Sequence, residues 1–408
     1  MGSKRARWAL VVVAVAALVV VATAAAHTQS AAAKTVTIGW AYDGSSGGPM
    51  NPFDAPALAA AQIEANKINA HGGADGHGMK IVIKTCDTQG DNPTVSATCA
   101  NKLISVDHAN VIFTTCDVDL AAPVVQVALN HGLLTVAPCI GTDQMGPKRF
   151  GTKGKLAFSF GNVAQDEGSA MAQLAWRKGW KTADLAKDTT IVYFKAIVTA
   201  FKARFTQLGG KIKYETTYQD PALGGSLASV NNAAAGIAAH KSAVVVTSTA
   251  GAYGALAPFI IDLRTAGDNA AVLNSWAGDG NYWLPSSPKI SNYWFVTYAN
   301  AFGHDPSHAV NVLASQIHAF TGGFVAGPAA IDGLATAIKR AGGSLVGSKL
   351  AAQMVKFHNV PTLSGLVSFS AGHHTVYGRS YRVIEINNNT PIEKQLIKAL
   401  VVPNSPDS

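Results

Sequence analysis

The stretch NVIFTTCDVDLAAPVVQVALNHGLLTVAPC, Asn110 to Cys139, reads as strand, helix, strand. Asn110 to Thr115 and Leu133 to Ala137 are short apolar runs of strand length, and Leu120 to Asn130 between them reads as a helix. Continuous apolar strands separated by helices imply a parallel sheet covered on both faces. The pattern extends upstream. Val36 to Ala41 (VTIGWA) reads as a strand, and the turn-rich loop DGSSGGPMNP follows it. A helix is expected over Ala55 to Ala70, with Leu58, Ala61, Ile63, Ala65 and Ile68 at helical spacing and a stop at His71-Gly72-Gly73. Met79 to Thr85 reads as a strand and Pro93 to Val106 as a helix.

Downstream of Phe158 to Phe160 the alternation restarts. Helices are expected over Gln165 to Lys178, Val198 to Leu208, Leu227 to Ala239 and Tyr253 to Ala266. Strands are expected over Thr190 to Phe194 (TIVYF), Lys211 to Tyr218 and Ala243 to Thr247. Val310 to Met354 reads as mainly helical and Leu366 to Ile386 as strands. The fold class is therefore α/β, with two doubly wound parallel-sheet lobes. A chain of 408 residues is long enough for two domains.

The N-terminus carries an export pattern. Lys4, Arg5 and Arg7 precede an apolar run from Trp8 to Ala22, and Thr23 to Ala33 is rich in small residues, which suits a signal peptide ending at Ala26 or Ala33. A retained anchor through residues 8–26 is the other reading, since that run lacks charge and approaches membrane-spanning length. Either places the remainder outside the cytoplasm. Without residues 1–33 the chain keeps 375 residues and, because that segment holds three basic and no acidic side chains, a net charge of +5 rather than +8. With only 14% charged residues and no basic cluster, nothing points to nucleic acid.

Cys86, Cys99, Cys116 and Cys139 are four grouped cysteines in an oxidising compartment, which favours two disulfides. Cys116 and Cys139 each follow an expected strand, so neighbouring strands would let their sulfurs meet and leave Cys86 for Cys99. Cys86 with Cys116 stays open. A zinc site is the competing idea, but close cysteine pairs are missing.

These residues resemble the type I periplasmic binding proteins, in particular the leucine/isoleucine/valine-binding group of ABC transporter receptors. The match is carried by Thr35-Val-Thr-Ile-Gly39, the helix end Ile68 to Gly73, Cys86-Asp87-Thr88 with Pro93 and Ala100 to Ile104, AAIDGLATAIKRAGG at Ala329 to Gly343, and Leu363 to Phe369. The resemblance implies two lobes joined by three crossovers, near Phe158 to Gly161, Trp294 to Asn300 and Leu366 to Gly372. Residues 34–159 with 298–367 would form one lobe, and 160–297 with 368–408 the other. It further implies a monomer that binds a small molecule in the cleft, serves a membrane permease and needs no cofactor or metal.

By the same resemblance, the loops after the third and fourth strands hold the ligand. They match Cys116, Asp117, Val118 and Asp119, and Cys139, Ile140, Gly141 and Thr142. Thr142 matches a hydroxyl donor. Asp117 stands where the family has a small hydroxyl residue, and a carboxylate there suits a cation, an amine or a hydroxyl-rich ligand; a helix N-cap is its other reading. Phe53 takes the place of a family tyrosine. In the second lobe the expected contacts are Lys195, Thr249, Tyr253, Trp276 and Asp279. The rings of Phe53, Tyr253, Trp276, Tyr282 and Trp283 would suit a flat or apolar ligand, or would pack as lobe core.

Three functional classes follow: a solute-binding receptor feeding a transporter, a ligand-binding sensor for a signalling partner, and a secreted hydrolase. The last rests on Gly44-Ser45-Ser46-Gly47-Gly48, which has the form of a nucleophile elbow around Ser46, although Pro49 and Pro52 follow where a helix should start. His373-His374 reads as a surface turn, and Asn388-Asn389-Thr390 has the form of a glycosylation acceptor.

Overall fold

The computed structural model describes residues 34–398. The expected signal peptide at residues 1–33, and the anchor within it, lie outside the described residues. No helix among the described residues is long and apolar enough to cross a membrane.

The chain begins with β1 (Thr35–Tyr42), α1 (Asn51–Ala70), β2 (Lys80–Asp87), α2 (Pro93–Ser105), β3 (Val111–Phe113), α3 (Val118–Asn130), β4 (Leu134–Ala137), the short α4 (Pro147–Phe150) and β5 (Ala157–Asn162). It continues through α5 (Ala164–Arg177), β6 (Thr182–Asp188), α6 (Val192–Gln207), β7 (Lys211–Tyr218), α7 (Leu227–Ala238), β8 (Val244–Thr247), α8 (Leu256–Thr265), β9 (Ala271–Asn274) and β10 (Tyr293–Thr297). Then come α9 (His308–Ile317), α10 (Ala326–Arg340), α11 (Gly347–Met354), the hairpin of β11 (Val360–Thr362) and β12 (Gly365–Val367), β13 (Thr375–Val376), and the hairpin of β14 (Ser380–Asn387) and β15 (Thr390–Lys398).

Two sheets result. The first runs β13-β5-β4-β3-β1-β2, all parallel, and the second runs β15-β14-β10-β9-β8-β6-β7. The second is parallel from β7 to β10 and antiparallel only at β14 and β15. The two parallel blocks share one plan, since β2-β1-β3-β4-β5 and β7-β6-β8-β9-β10 have the same winding order. That order reverses direction beside β1 in the first sheet and beside β6 in the second, and doubly wound folds open a crevice at such points. The chain passes between sheets after β5, after β10 and between β13 and β14. The third passage therefore falls later than the expected Leu366 to Gly372, because β13 adds two residues to the first sheet before the chain leaves it.

Burial follows position in the sheet. β3, β4, β8, β9 and β10 are buried at every residue, whereas the edge strand β7 alternates between exposed and partly covered residues. Trp40 on β1 packs against Phe113 on β3, ring centroids 5.1 Å apart. Each sheet has apolar cores on both faces, and one of them is shared. Met50 and Phe53 from the start of α1 belong to the same buried cluster as Tyr193, Phe194, Tyr253 and Trp276 of the second lobe.

Two expectations are corrected. TIVYF is the start of α6, not a strand. Phe194, Ile197, Phe201 and Phe205 are all buried, at intervals of three and four residues, so a helical face wins over local strand propensity. The strand is TADLAKD, whose buried Asp184 accepts hydrogen bonds from the Ser242 hydroxyl (2.7 Å) and amide (3.3 Å). His374 is not on a surface turn: it is buried, stacks on Phe158 at 4.2 Å and hydrogen-bonds the Ala157 carbonyl through Nδ1, and burial lowers its pKa. Asn388 and Asn389 form the tight turn between β14 and β15, both with positive φ (51° and 62°), the geometry asparagine tolerates.

The cysteines form Cys86–Cys99 and Cys116–Cys139, with Cα–Cα separations of 5.6 and 4.7 Å. No free cysteine exists among the described residues, so the thiolates a zinc site would need are consumed.

Candidate functional site

A small cavity lies where the carboxyl ends of the two sheets face each other. Its first wall comes from Met50 and Phe53 after β1 and from Cys116 and Asp117 after β3. Its second comes from Ile191, Tyr193 and Phe194 after β6, Ala250 and Tyr253 after β8, and Trp276 and Ala277 after β9. The walls touch: Phe53 meets Trp276 edge-on at 5.0 Å, and the Tyr253 hydroxyl reaches the Met50 sulfur at 3.1 Å. Asp119 accepts a hydrogen bond across the cleft from the Val192 amide (2.9 Å) and holds Arg149 at 2.6 Å. The lobes are closed on one another.

Of the expected contacts, Phe53, Asp117, Tyr253 and Trp276 line this cavity. Asp117 does so while capping α3, its Oδ1 accepting from the amides of Asp119 (2.8 Å) and Leu120 (3.1 Å), so the two roles read from the sequence coincide in one side chain. Burial, with the nearby Asp119 charge, pushes its carboxyl up to about 7. Cys139 is the covalent partner of the wall residue Cys116, and Val118 is buried at the first turn of α3. Gly141 abuts Tyr193 so closely that a Cβ there would overlap the ring. Thr142 turns away, accepting from the Gln144 amide at 3.1 Å.

Three other expected residues stand elsewhere. Lys195 is half-buried on α6, because the strand end it was placed on is a helix start. Thr249 donates to Asp188 (2.8 Å) and Asp220 (3.2 Å), two buried carboxyls pushed up to about 6 and about 7 chiefly by burial. Asp279 accepts from Thr297 and from the Gly280 and Gly322 amides, tying the end of β10 to the loop before α10, and burial pushes it up to about 7.

The sequence reading missed Glu167, on the first turn of α5. It is fully buried behind the cavity, where Oε1 accepts from the Trp276 amide (2.5 Å) and Oε2 from the Tyr193 hydroxyl (2.9 Å). One carboxyl thus positions two aromatic walls, and burial pushes it up to about 8. An acidic pair after a crossover strand is a faint signal, because Trp276 lies 109 residues away. Tyr193 gives no signal in the sequence because TIVYF has strand composition.

The hydrolase reading fails on geometry. Ser46 is exposed on a loop wound around Asp43, whose carboxylate accepts from the amides of Ser45 (3.1 Å), Met50 (3.0 Å), Asn51 (3.2 Å) and Gly90 (3.1 Å). No helix starts at the serine, and the loop instead anchors α1.

Two like-wound lobes closed over a crevice at their switch points match a known plan, and a family model described as periplasmic binding protein matches residues 35–391. The chain belongs to the type I periplasmic binding proteins. Among solved structures, this binding protein is similar to the leucine-binding protein LivK of Thermotoga maritima, at 18% identity and a TM-score of 0.73, over 89% of this chain and 98% of that one. It is also similar to the branched-chain amino acid transporter substrate-binding protein LivJ of Streptococcus pneumoniae in complex with isoleucine, at 17% identity and 0.73, over 90% and 100%. A third is an ABC transporter solute-binding protein of Rhodopseudomonas palustris in complex with 3,4-dihydroxybenzoic acid, at 18% and 0.71, over 91% and 99%. Identities this low carry the fold alone. Among curated proteins no sequence matches.

Proposed function

We propose that this periplasmic binding protein is an extracytoplasmic receptor that captures a small organic solute by lobe closure and delivers it to an ABC transporter in the membrane. The observation that carries this reading is the cavity whose walls come from both lobes. A ligand there touches both walls only when the lobes are shut, and so it shifts the population toward the closed form that a permease can read. Similar structures bind isoleucine and 3,4-dihydroxybenzoic acid, so amino acids, amides and related compounds frame the search. The family consists of binding proteins rather than enzymes, in keeping with a cleft built of aromatic rings and capped carboxyls. Export through residues 1–33 and a monomeric state complete the proposal.

A thermal-shift screen of the full chain against amino acids, amides, amines, polyols, sugars and aromatic acids tests it, because a ligand specific to the folded state raises the melting temperature. At a hundredfold excess over Kd the gain is about 2.7 kcal/mol. A hit weakened by Phe53→Ala supports the reading; silence across the whole screen sinks it.

A further inference from the structure

The geometry points to a small organic monocation as the ligand of this cleft: an ammonium on an aromatic or branched apolar body, without a free carboxylate. This inference rests on the receptor reading and narrows it.

Free backbone N–H groups at helix starts, at the carboxyl ends of parallel strands, are where an open α/β fold ordinarily receives an anion. Here five such places are already filled by the chain's own carboxyls. After β1, Asp43 takes the amides of Met50 (3.0 Å) and Asn51 (3.2 Å) at the start of α1. After β3, Asp117 takes those of Asp119 and Leu120. After β6, Asp119 reaches across the cleft to Val192 at the head of α6. After β8, Asp220 takes Ala255 (3.2 Å), and after β9, Glu167 takes Trp276. A ligand carboxylate would find these donors already taken.

Among the described residues, no lysine, arginine or histidine lines the cavity to receive an anion instead. Its one carboxyl among the described residues is that of Asp117, and the capping bonds occupy only Oδ1. Five rings, Phe53, Tyr193, Phe194, Tyr253 and Trp276, share the rest of the wall with Met50, Cys116, Ile191 and two alanines. Aromatic faces attract ammonium groups, more strongly when water is excluded, and a carboxylate beside them gives the charge a fixed partner. Leaving out the ligand carboxylate separates this class from amino acids and aromatic acids alike. The closed walls leave little room between them, so the body is kept small, about one ring or a branched chain.

The test is titration calorimetry of the full chain with two bodies in two charge states: phenethylamine against 3-phenylpropanoate, and isopentylamine against 4-methylpentanoate, with phenylalanine and leucine carrying both charges. At least one amine is expected to bind ten times more tightly than its matching acid and amino acid. Asp117→Asn, which can still cap α3, is expected to weaken that amine at least tenfold with an unchanged circular dichroism spectrum. Acids or amino acids binding as tightly as the amines would overturn the inference and leave the receptor reading standing. So would an amine that binds equally well to the Asn variant. If nothing in this panel or in the wider solute screen binds, the receptor reading falls and this inference with it.

Discussion

The two lobes are wound alike and furnished differently. Around the cleft, the first lobe offers, beside Met50 and Phe53, a disulfide and carboxyls: Cys116 bonded to Cys139, Asp117 on the wall, and Asp54 beneath, accepting from the Cys116 amide at 3.0 Å. The second offers rings, Tyr193, Phe194, Tyr253 and Trp276, with Glu167 fixing two of them from behind. One winding order has thus been given a polar jaw and an apolar jaw. The contrast teaches that strand-end position selects where a ligand sits, while the loop residues alone decide which end of it each lobe grips.

The contrast breaks most severely at Glu167. Glu167→Ala leaves a buried amide and a buried hydroxyl without their acceptor, at about 1 to 3 kcal/mol each. We expect a loss of about 3 kcal/mol in chemical denaturation and disordered ring packing in near-ultraviolet circular dichroism. Glu167→Gln, which resembles the protonated acid expected of a carboxyl near 8, should cost under about 1 kcal/mol. Equal losses in the two variants would show that the charge, not the hydrogen bonding, matters.

The polar jaw is tested by its sulfurs. Replacing Cys116 and Cys139 together by serine frees a loop of roughly two dozen residues, worth about 3 kcal/mol in the chain-entropy account, and should also weaken ligand binding. The same exchange at Cys86 and Cys99, away from the cavity wall, should lower the melting temperature while leaving affinity within about twofold of the parent. Similar binding losses from both pairs would erase the distinction.

Both jaws contribute to pH dependence. Asp91, Asp166 and Asp188 are pushed up to about 6, Asp117, Asp220 and Asp279 to about 7, and Glu167 to about 8, all chiefly by burial. Such groups bind more protons folded than unfolded between the unfolded value near 4 and the folded value. Stability from them is complete below about 4 and drains as pH climbs through 6 to 8; Asp75 and Asp305, shifted downward, oppose this. Melting temperature should therefore fall from pH 5.5 to pH 8, and a rise across that range would contradict these burial effects. The smallest effect lies in the bond between the jaws. Asp119→Ala removes the Val192 acceptor and should cost about 1 kcal/mol of closure, read as weaker ligand binding than in Arg149→Ala, which loses the ion pair within the first lobe.

The first lobe was legible because its strands are continuous apolar runs and its helices begin with proline or a capping side chain, as at Asn92-Pro93. The second was legible except at its entrance. TIVYF has strand composition and forms a helix, and TADLAKD carries three charges and forms an internal strand, because tertiary packing and Ser242 satisfy what local propensity penalises. At the site, Phe53 and Asp117 were readable through the family resemblance, and Tyr253 and Trp276 from loop position. Thr249 and Asp279 have the right loops but turn their polar atoms into buried networks, and nothing in one sequence tells which way a loop side chain faces. Glu167 and Tyr193 act through partners far along the chain, beyond any local pattern.

The apolar cluster that joins Met50 and Phe53 to the rings of the opposite lobe has a calorimetric consequence. Parting the lobes wets that surface and raises heat capacity, so closure on a ligand lowers it. Binding heat should then grow more exothermic on warming, far more steeply than contact with a ligand of this size could produce by itself. The temperature slope of a titration thus reads jaw movement directly, without any label on the protein.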